Sequence, residues 1–253
     1  MKQFLVVQHT YSEFLGGIEK QLENRGIGFN YVRPFTGQSL PASALQYDAL
    51  WLLGGAYAVS DRGHGPWVDD ELRLIAAFRR AGRPVIGFGF GGLLLAQAAG
   101  GSAHDEPAHR AYWTTARKVR AGEPLGEAVD GRRVLVMVNG RVDLPPGLAP
   151  VLTDEAGEWI AVRTDAGYGT LFRPELKPGM IEDMIMEEGR PLPADIAAIL
   201  EEARAEWPQT QHTTDRVAAT LVTALDLMRE RRKPPVFALR AVKDEGGRMK
   251  DEG

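Results

Sequence analysis

The stretch Gly87 to Ala96, GFGFGGLLLA, follows the strand-like RPVI and runs into an apolar, helix-like segment. A glycine-rich corner between a strand and a helix is where hydrolase-like folds expose a nucleophile above the sheet. Here the corner holds no Cys, Ser or Thr. A second glycine turn, Gly54 and Gly55, closes the strand-like ALWLL. A glycine pair at that point lets backbone N–H groups face the crevice at the carboxyl ends of the strands, although on spacing alone a plain tight turn is the commoner reason for it. A third cluster, HDEPAH from His104 to His109, offers imidazoles and carboxylates of the types that ligate zinc or iron. Its spacing matches no metal motif, so it reads as a solvated polar loop, and His9 and His212 read as capping or surface residues.

GFGFGG also satisfies the GxGxxG pattern of a dinucleotide loop. That fingerprint belongs in the first strand–helix unit, with an acid about 20 residues later at the end of the next strand. Asp105 and Glu106 lie in the polar segment instead. The nucleophile corner is the better description, with its reactive side chain missing.

The elements that must hold these turns are legible from apolar runs. Strands are predicted at Phe4 to Val7, Phe29 to Val32, Ala49 to Leu53 and Pro84 to Phe88, alternating with helices at Glu13 to Arg25 and Val68 to Ala81. The runs lack polar alternation, as in strands buried on both faces of a parallel sheet. Beyond a helix ending near Ala99 come three more strands, Arg132 to Val138, Glu158 to Thr164 and Tyr168 to Phe172, in a half that reads as more antiparallel. Three helices follow from Lys177, opened by Pro or Thr-Asp signals, and Pro234 and Pro235 stop the last one. The expected fold is α/β: a flavodoxin-like open, mostly parallel sheet with helices on both faces, plus C-terminal helices. Residues 1–233 form this domain. Residues 234–253 form a tail, mobile or partner-docking, in which Val236, Phe237, Leu239 and Val242 could dock in cis or on another chain.

The 253 residues carry 30 basic and 34 acidic side chains, a formal net charge of -4, well mixed along the chain. No extended positive surface for nucleic acid is implied. No run is long enough for a membrane span or a signal sequence, which points to the cytoplasm. The absence of cysteine removes disulfides, thiolate metal sites and cysteine nucleophiles together.

Taken in order, VVQH, LWLLGGAYAVSD, PVIGFGFGGLLLAQAAGG and GTLFRPE resemble the successive motifs of class I glutamine amidotransferases, nearest to the small stand-alone members of GMP-synthase-like type. The resemblance covers most of the chain. It implies a catalytic Cys, His and Glu that hydrolyse glutamine to supply ammonia, and carrying those positions over one at a time changes the expectation. The family cysteine falls on Gly89, the histidine on Arg173, and only the glutamate survives, as Glu175. A guanidinium with a pKa above about 12 cannot serve as a base. The amide-binding Gln of the corner falls on Leu93, after Phe90. RAYW takes the place of EIGW, with Arg110 at its glutamate, Tyr112 filling space where the family has glycine, and Trp113 retained. VNGR, with Asn139 and Arg141, takes the place of WHGD.

The expectation is therefore a catalytically inactive glutamine amidotransferase-like protein, without metal or cofactor, acting as a non-catalytic structural or regulatory subunit. Its partner would be a synthetase, transferase or oxidoreductase subunit, or a second copy of itself. The alternatives are an enzyme that reuses the crevice for another amide or amine reaction through Glu175, Tyr112 or the loop acids, and a working amidotransferase with an unconventional nucleophile. Gly54, Gly55, Phe90, Leu93, Tyr112 and Trp113 are the candidate remnants of the oxyanion loop and ligand pocket.

Overall fold

The computed structural model describes residues 2–231. The expected boundary at residue 233 and the tail from 234 onward lie outside the described residues.

Chain order begins with β1 (Lys2–Val7), α1 (Glu19–Glu23), β2 (Ile27–Val32), β3 (Ala49–Leu52), α2 (Val68–Arg80), β4 (Val85–Phe88) and α3 (Phe90–Ala98). Then come β5 (Ser102–His104), β6 (Arg110–Thr115), β7 (Arg117–Lys118), α4 (Pro124–Val129), β8 (Arg133–Val138), β9 (Arg141–Asp143), β10 (Pro150–Thr153), β11 (Trp159–Arg163) and β12 (Gly167–Thr170). The helices α5 (Pro178–Met186) and α6 (Ile196–Ala224) close the described chain.

One eight-stranded open sheet runs β2-β1-β3-β4-β12-β11-β10-β7. Its first five strands are mutually parallel and the last three antiparallel. This is the flavodoxin-like sheet that the buried apolar runs imply, with the order reversing between β1 and β3. β12 is the seam, parallel to β4 and antiparallel to β11. α3 is buried from Phe90 to Ala96, which explains why its sequence is apolar all round. α2 buries Val68, Glu71, Leu74, Ile75 and Phe78 on one stripe. A second core cluster, including Leu135, Met180, Ile181, Met184 and Ile199, lies beneath α5 and α6.

Four expectations change. Glu13 to Arg25 is not one helix: residues 9–15 form a loop, then a single tight turn at Gly16–Ile18 precedes α1. Gly16 has φ 51°, and a β-carbon there would stand 2.2 Å from the Glu175 carbonyl oxygen, so the glycine pair is a close approach that ends any helix begun at Glu13. The polar segment after α3 is not simply a loop, since its two ends pair as β5 with β9 and β6 with β8. β10, without a long apolar run, gave no strand signal. Finally, the last two predicted helices are one, 29 residues long with Pro208 inside it. Proline costs a helix interior about 3 kcal/mol in isolation, but α6 packs along its length, burying Leu200, Ala203, Val217 and Leu221.

Candidate functional site

The corner residue Gly89 has φ 56° and ψ −115°, a conformation that a side chain adopts only under strain. Its N–H donates to Thr170 O at 2.8 Å, and its carbonyl accepts from Leu93 N at 3.1 Å. The neighbouring glycines serve close packing: a β-carbon at Gly91 would stand 2.1 Å from Leu52 O and one at Gly92 2.3 Å from Thr170 O. The glycine-rich sequence thus lets the first turn of α3 lie directly on β3 and β12. It is a structural corner, which accounts for the GxGxxG match without a nucleotide.

Arg173 follows β12 and is 5% exposed. Its guanidinium lies between the two glycine turns. A β-carbon at Gly89 would meet Arg173 Cδ at 2.9 Å, and one at Gly54 would meet Nη2 at 2.1 Å. Nε donates to Glu175 Oε1 at 2.6 Å and Nη2 to Glu13 Oε1 at 2.7 Å. The other oxygen of Glu13 accepts from Arg190 Nη2 at 2.9 Å, and Arg190 Nη1 reaches Glu187 Oε2 at 3.1 Å. Both Glu13 and Glu175 are fully buried. Glu175 and Arg173 are therefore part of a buried ladder, Glu175–Arg173–Glu13–Arg190–Glu187, rather than an ordinary surface pair.

The ladder explains the charge states of its members. Burial opposes the charge on Glu13, but Arg190 and Arg173 hold its pKa down to about 2. Burial likewise opposes the charge on Arg173, and Glu175 with Glu13 more than offsets it, so its pKa rises. For Glu175 burial dominates and raises the pKa despite Arg173, and its Oε2 has no hydrogen-bond partner.

A second buried pair seals the strand-order reversal. His9, at the end of β1, is neither a cap nor on the surface: it is 6% exposed and packs on Phe90 with ring centroids 4.6 Å apart. Its Nδ1 lies 3.1 Å from Leu53 O and 2.9 Å from Gly54 O, and its Nε2 lies 3.0 Å from Glu71 Oε1. Carbonyl and carboxylate oxygens only accept, so this geometry favours a proton on each ring nitrogen, the imidazolium form. Burial alone would lower its pKa; Glu71 foremost, with Gly54 and Glu13, raises it.

The remaining candidates are dispersed. Gly55 lies against Phe90, while Leu93 is 1% exposed in the main core. Tyr112, expected to fill the crevice, donates its hydroxyl to Asp154 Oδ2 at 2.8 Å instead. Its position on β6, unrecognised as a strand, is the reason. Trp113 lines, with Arg173, a recess of about 30 Å³ beneath α6. Arg141 pairs with Asp143, and Asn139 Nδ2 donates to Ala56 O at 3.1 Å. Among the described residues no three His, Asp or Glu side chains converge as a metal site would require. Roomier clefts, such as one of about 670 Å³ between residues 34–42 and α2, lie away from the corner.

Sequence reasoning missed Arg190 and Glu71, read Glu13 as a helix start and took His9 for a cap or surface residue. Only Glu71 had a signal, a carboxylate on the apolar stripe of α2 between Val68 and Leu74.

No protein-family model matches the chain. It is 32% identical over 104 residues to the glutamine amidotransferase-like protein YfeJ of Salmonella typhimurium, a match covering 40% of this chain and 44% of that protein. The chain thus matches less than half the length of this curated relative. A crystal structure of a glutamine amidotransferase from Methylobacillus flagellatus superposes with a TM-score of 0.76 at 22% identity, covering 94% of this chain and 99% of that one. A Thermoplasma acidophilum protein described as a GMP synthase subunit gives a TM-score of 0.55 at 14% identity, over 91% and 98% of the two chains. No described helix is long and apolar enough to cross a membrane. Over most of its length the chain has the fold of a solved glutamine amidotransferase, and over 104 residues it is similar in sequence to a glutamine amidotransferase-like protein.

Proposed function

We propose that this protein is a non-catalytic glutamine amidotransferase-like subunit, one that keeps the family's shape and has lost its glutaminase chemistry. The observation that carries this reading is the Arg173 guanidinium between Gly54 and Gly89, tied at 2.7 Å to Glu13 and at 2.6 Å to Glu175. Acyl transfer needs a nucleophile at the corner, a base beside it and an open oxyanion loop. The corner offers a glycine, the group over it is a cation that cannot take a proton, and that cation fills the space between the corner and the glycine pair. Glu175 has no histidine to orient.

The space left at the crevice supports the same reading. The recess beside Gly55 measures about 20 Å³, room for one water-sized group, far short of the roughly 300–1,000 Å³ that would enclose a whole substrate for reaction. A protein partner fits a fold whose relatives by structure include a protein named as a synthase subunit.

The test is ammonia release from glutamine by the purified chain, alone and with Glu175→Ala as control. No release above the uncatalysed rate is expected. Hydrolysis by the wild-type chain that Glu175→Ala abolishes would overturn the reading.

A further inference from the structure

The recess of about 20 Å³ beside the glycine pair is lined by Gly55, Ala56, His109, Arg110, Asn139 and Arg190, among others, and no carboxylate lines it. Two of these side chains are guanidiniums whose Nε–H groups are buried and without a hydrogen-bond partner. Arg190 has a 5% exposed side chain whose charge is matched by Glu13 and Glu187. Arg110 differs: its hydrogen bond is from Nη2 to Gly140 O at 3.3 Å, and it makes no ion pair among the described residues. Buried N–H donors left unpaired are costly, more so on a charged group. Both belong to side chains that line the one recess, and both call for an acceptor.

We propose that this recess binds the carboxylate group of a small molecule. A water would satisfy the donors and leave the Arg110 charge unmatched; an oxyanion does both. Recess size and charge select among oxyanions. Room for one oxygen suits a planar carboxylate with its second oxygen toward the mouth, and the single unmatched charge of Arg110 suits a monoanion over a phosphate dianion. Glutamine fits poorly, because its ammonium would sit beside two guanidiniums with no carboxylate to receive it. Asn139 holds the frame, accepting from His109 N at 3.1 Å and donating to Ala56 O. The inference goes beyond the non-catalytic reading and turns on Arg110 and Arg190 rather than on Arg173 and Gly89, so either can fail alone.

Titration calorimetry on the full chain at constant ionic strength, with acetate, inorganic phosphate and L-glutamine as separate probes, tests it. Acetate should bind saturably and more tightly than either other probe, and Arg110→Gln should weaken it by about tenfold or more, as expected on losing a charge-assisted hydrogen bond. In the wild-type chain, where no variant has to fold, the Nε–H resonances of Arg110 and Arg190 should shift saturably with acetate. Absence of a saturable shift would mean that the recess holds water only. Phosphate or glutamine binding as tightly as acetate, or an Arg110→Gln variant binding acetate unchanged, would equally overturn the assignment.

Discussion

Arg173 lies over the backbone of Gly89, its Cδ 2.9 Å from the point where a β-carbon would stand. The residue without a side chain and the long cation above it are therefore two halves of one packing solution. Restoring either half separately meets a steric or an electrostatic penalty.

For Gly89→Ala the strain of φ 56° and ψ −115° applies together with the contact on Arg173. The backbone contribution alone is about 1–3 kcal/mol. Urea denaturation should show at least that loss. Combined with Arg173→Ala, the loss should be smaller than the sum of the two single losses, because the contact between them exists only once.

Arg173→Met keeps much of the side-chain volume and removes the charge between two fully buried carboxylates. Leaving buried charges unpaired costs about 3–5 kcal/mol. The variant should lose that much at neutral pH, and adding Glu175→Gln should recover part of it by removing the carboxylate left without a cation, since Glu13 keeps Arg190. Recovery is measured as the rise in the urea midpoint of the double variant over the single.

The parallel sheet and the corner were legible because buried parallel strands are continuous apolar runs and a tight corner needs glycine. The ladder was not. Glu13 read as the start of a helix, and nothing local shows that the Gly16–Gly17 break turns its carboxylate inward to meet Arg173, 160 residues away. Arg190 comes from the connection between α5 and α6, where neither apolar period nor spacing marks it. Tyr112 and the HDEPAH segment were misplaced because β5 and β6 are short and half-exposed, so their pairing with β9 and β8 outweighs a polar local sequence. Pro208 in α6 is the converse case, a local stop signal overridden by packing.

Acid should dissolve the ladder from Glu13. Its pKa lies at about 2 in the folded chain against an ordinary 4.5. A depressed folded value means stability that is complete above pH 4.5 and lost as the pH falls from there toward 2. The size is on the order of 3 kcal/mol at one pK unit per 1.36 kcal/mol. Glu175 works in the opposite sense, since its raised value lets the folded state take up a proton first as the pH falls toward 4.5. Unfolding free energies measured between pH 2 and 6 should therefore fall steeply only below about pH 4.5, and Glu13→Gln, already less stable at neutral pH, should show a flatter profile.

His9 sets the other limb. Its folded pKa is raised above 6.5, chiefly because Glu71 offsets the cost of burial. A raised value on a base gives stability that is complete below pH 6.5 and is lost as the pH rises through the folded value. Losing the proton also removes a donor from either the Leu53 and Gly54 carbonyls or the Glu71 carboxylate, which stays buried beside it. The wild-type chain should consequently weaken as the pH climbs above 6.5, while His9→Gln, which cannot titrate, should be less stable at pH 6 and nearly flat above it. Identical alkaline slopes for the two proteins would mean that His9 is not the charged group joining β1 to the glycine turn.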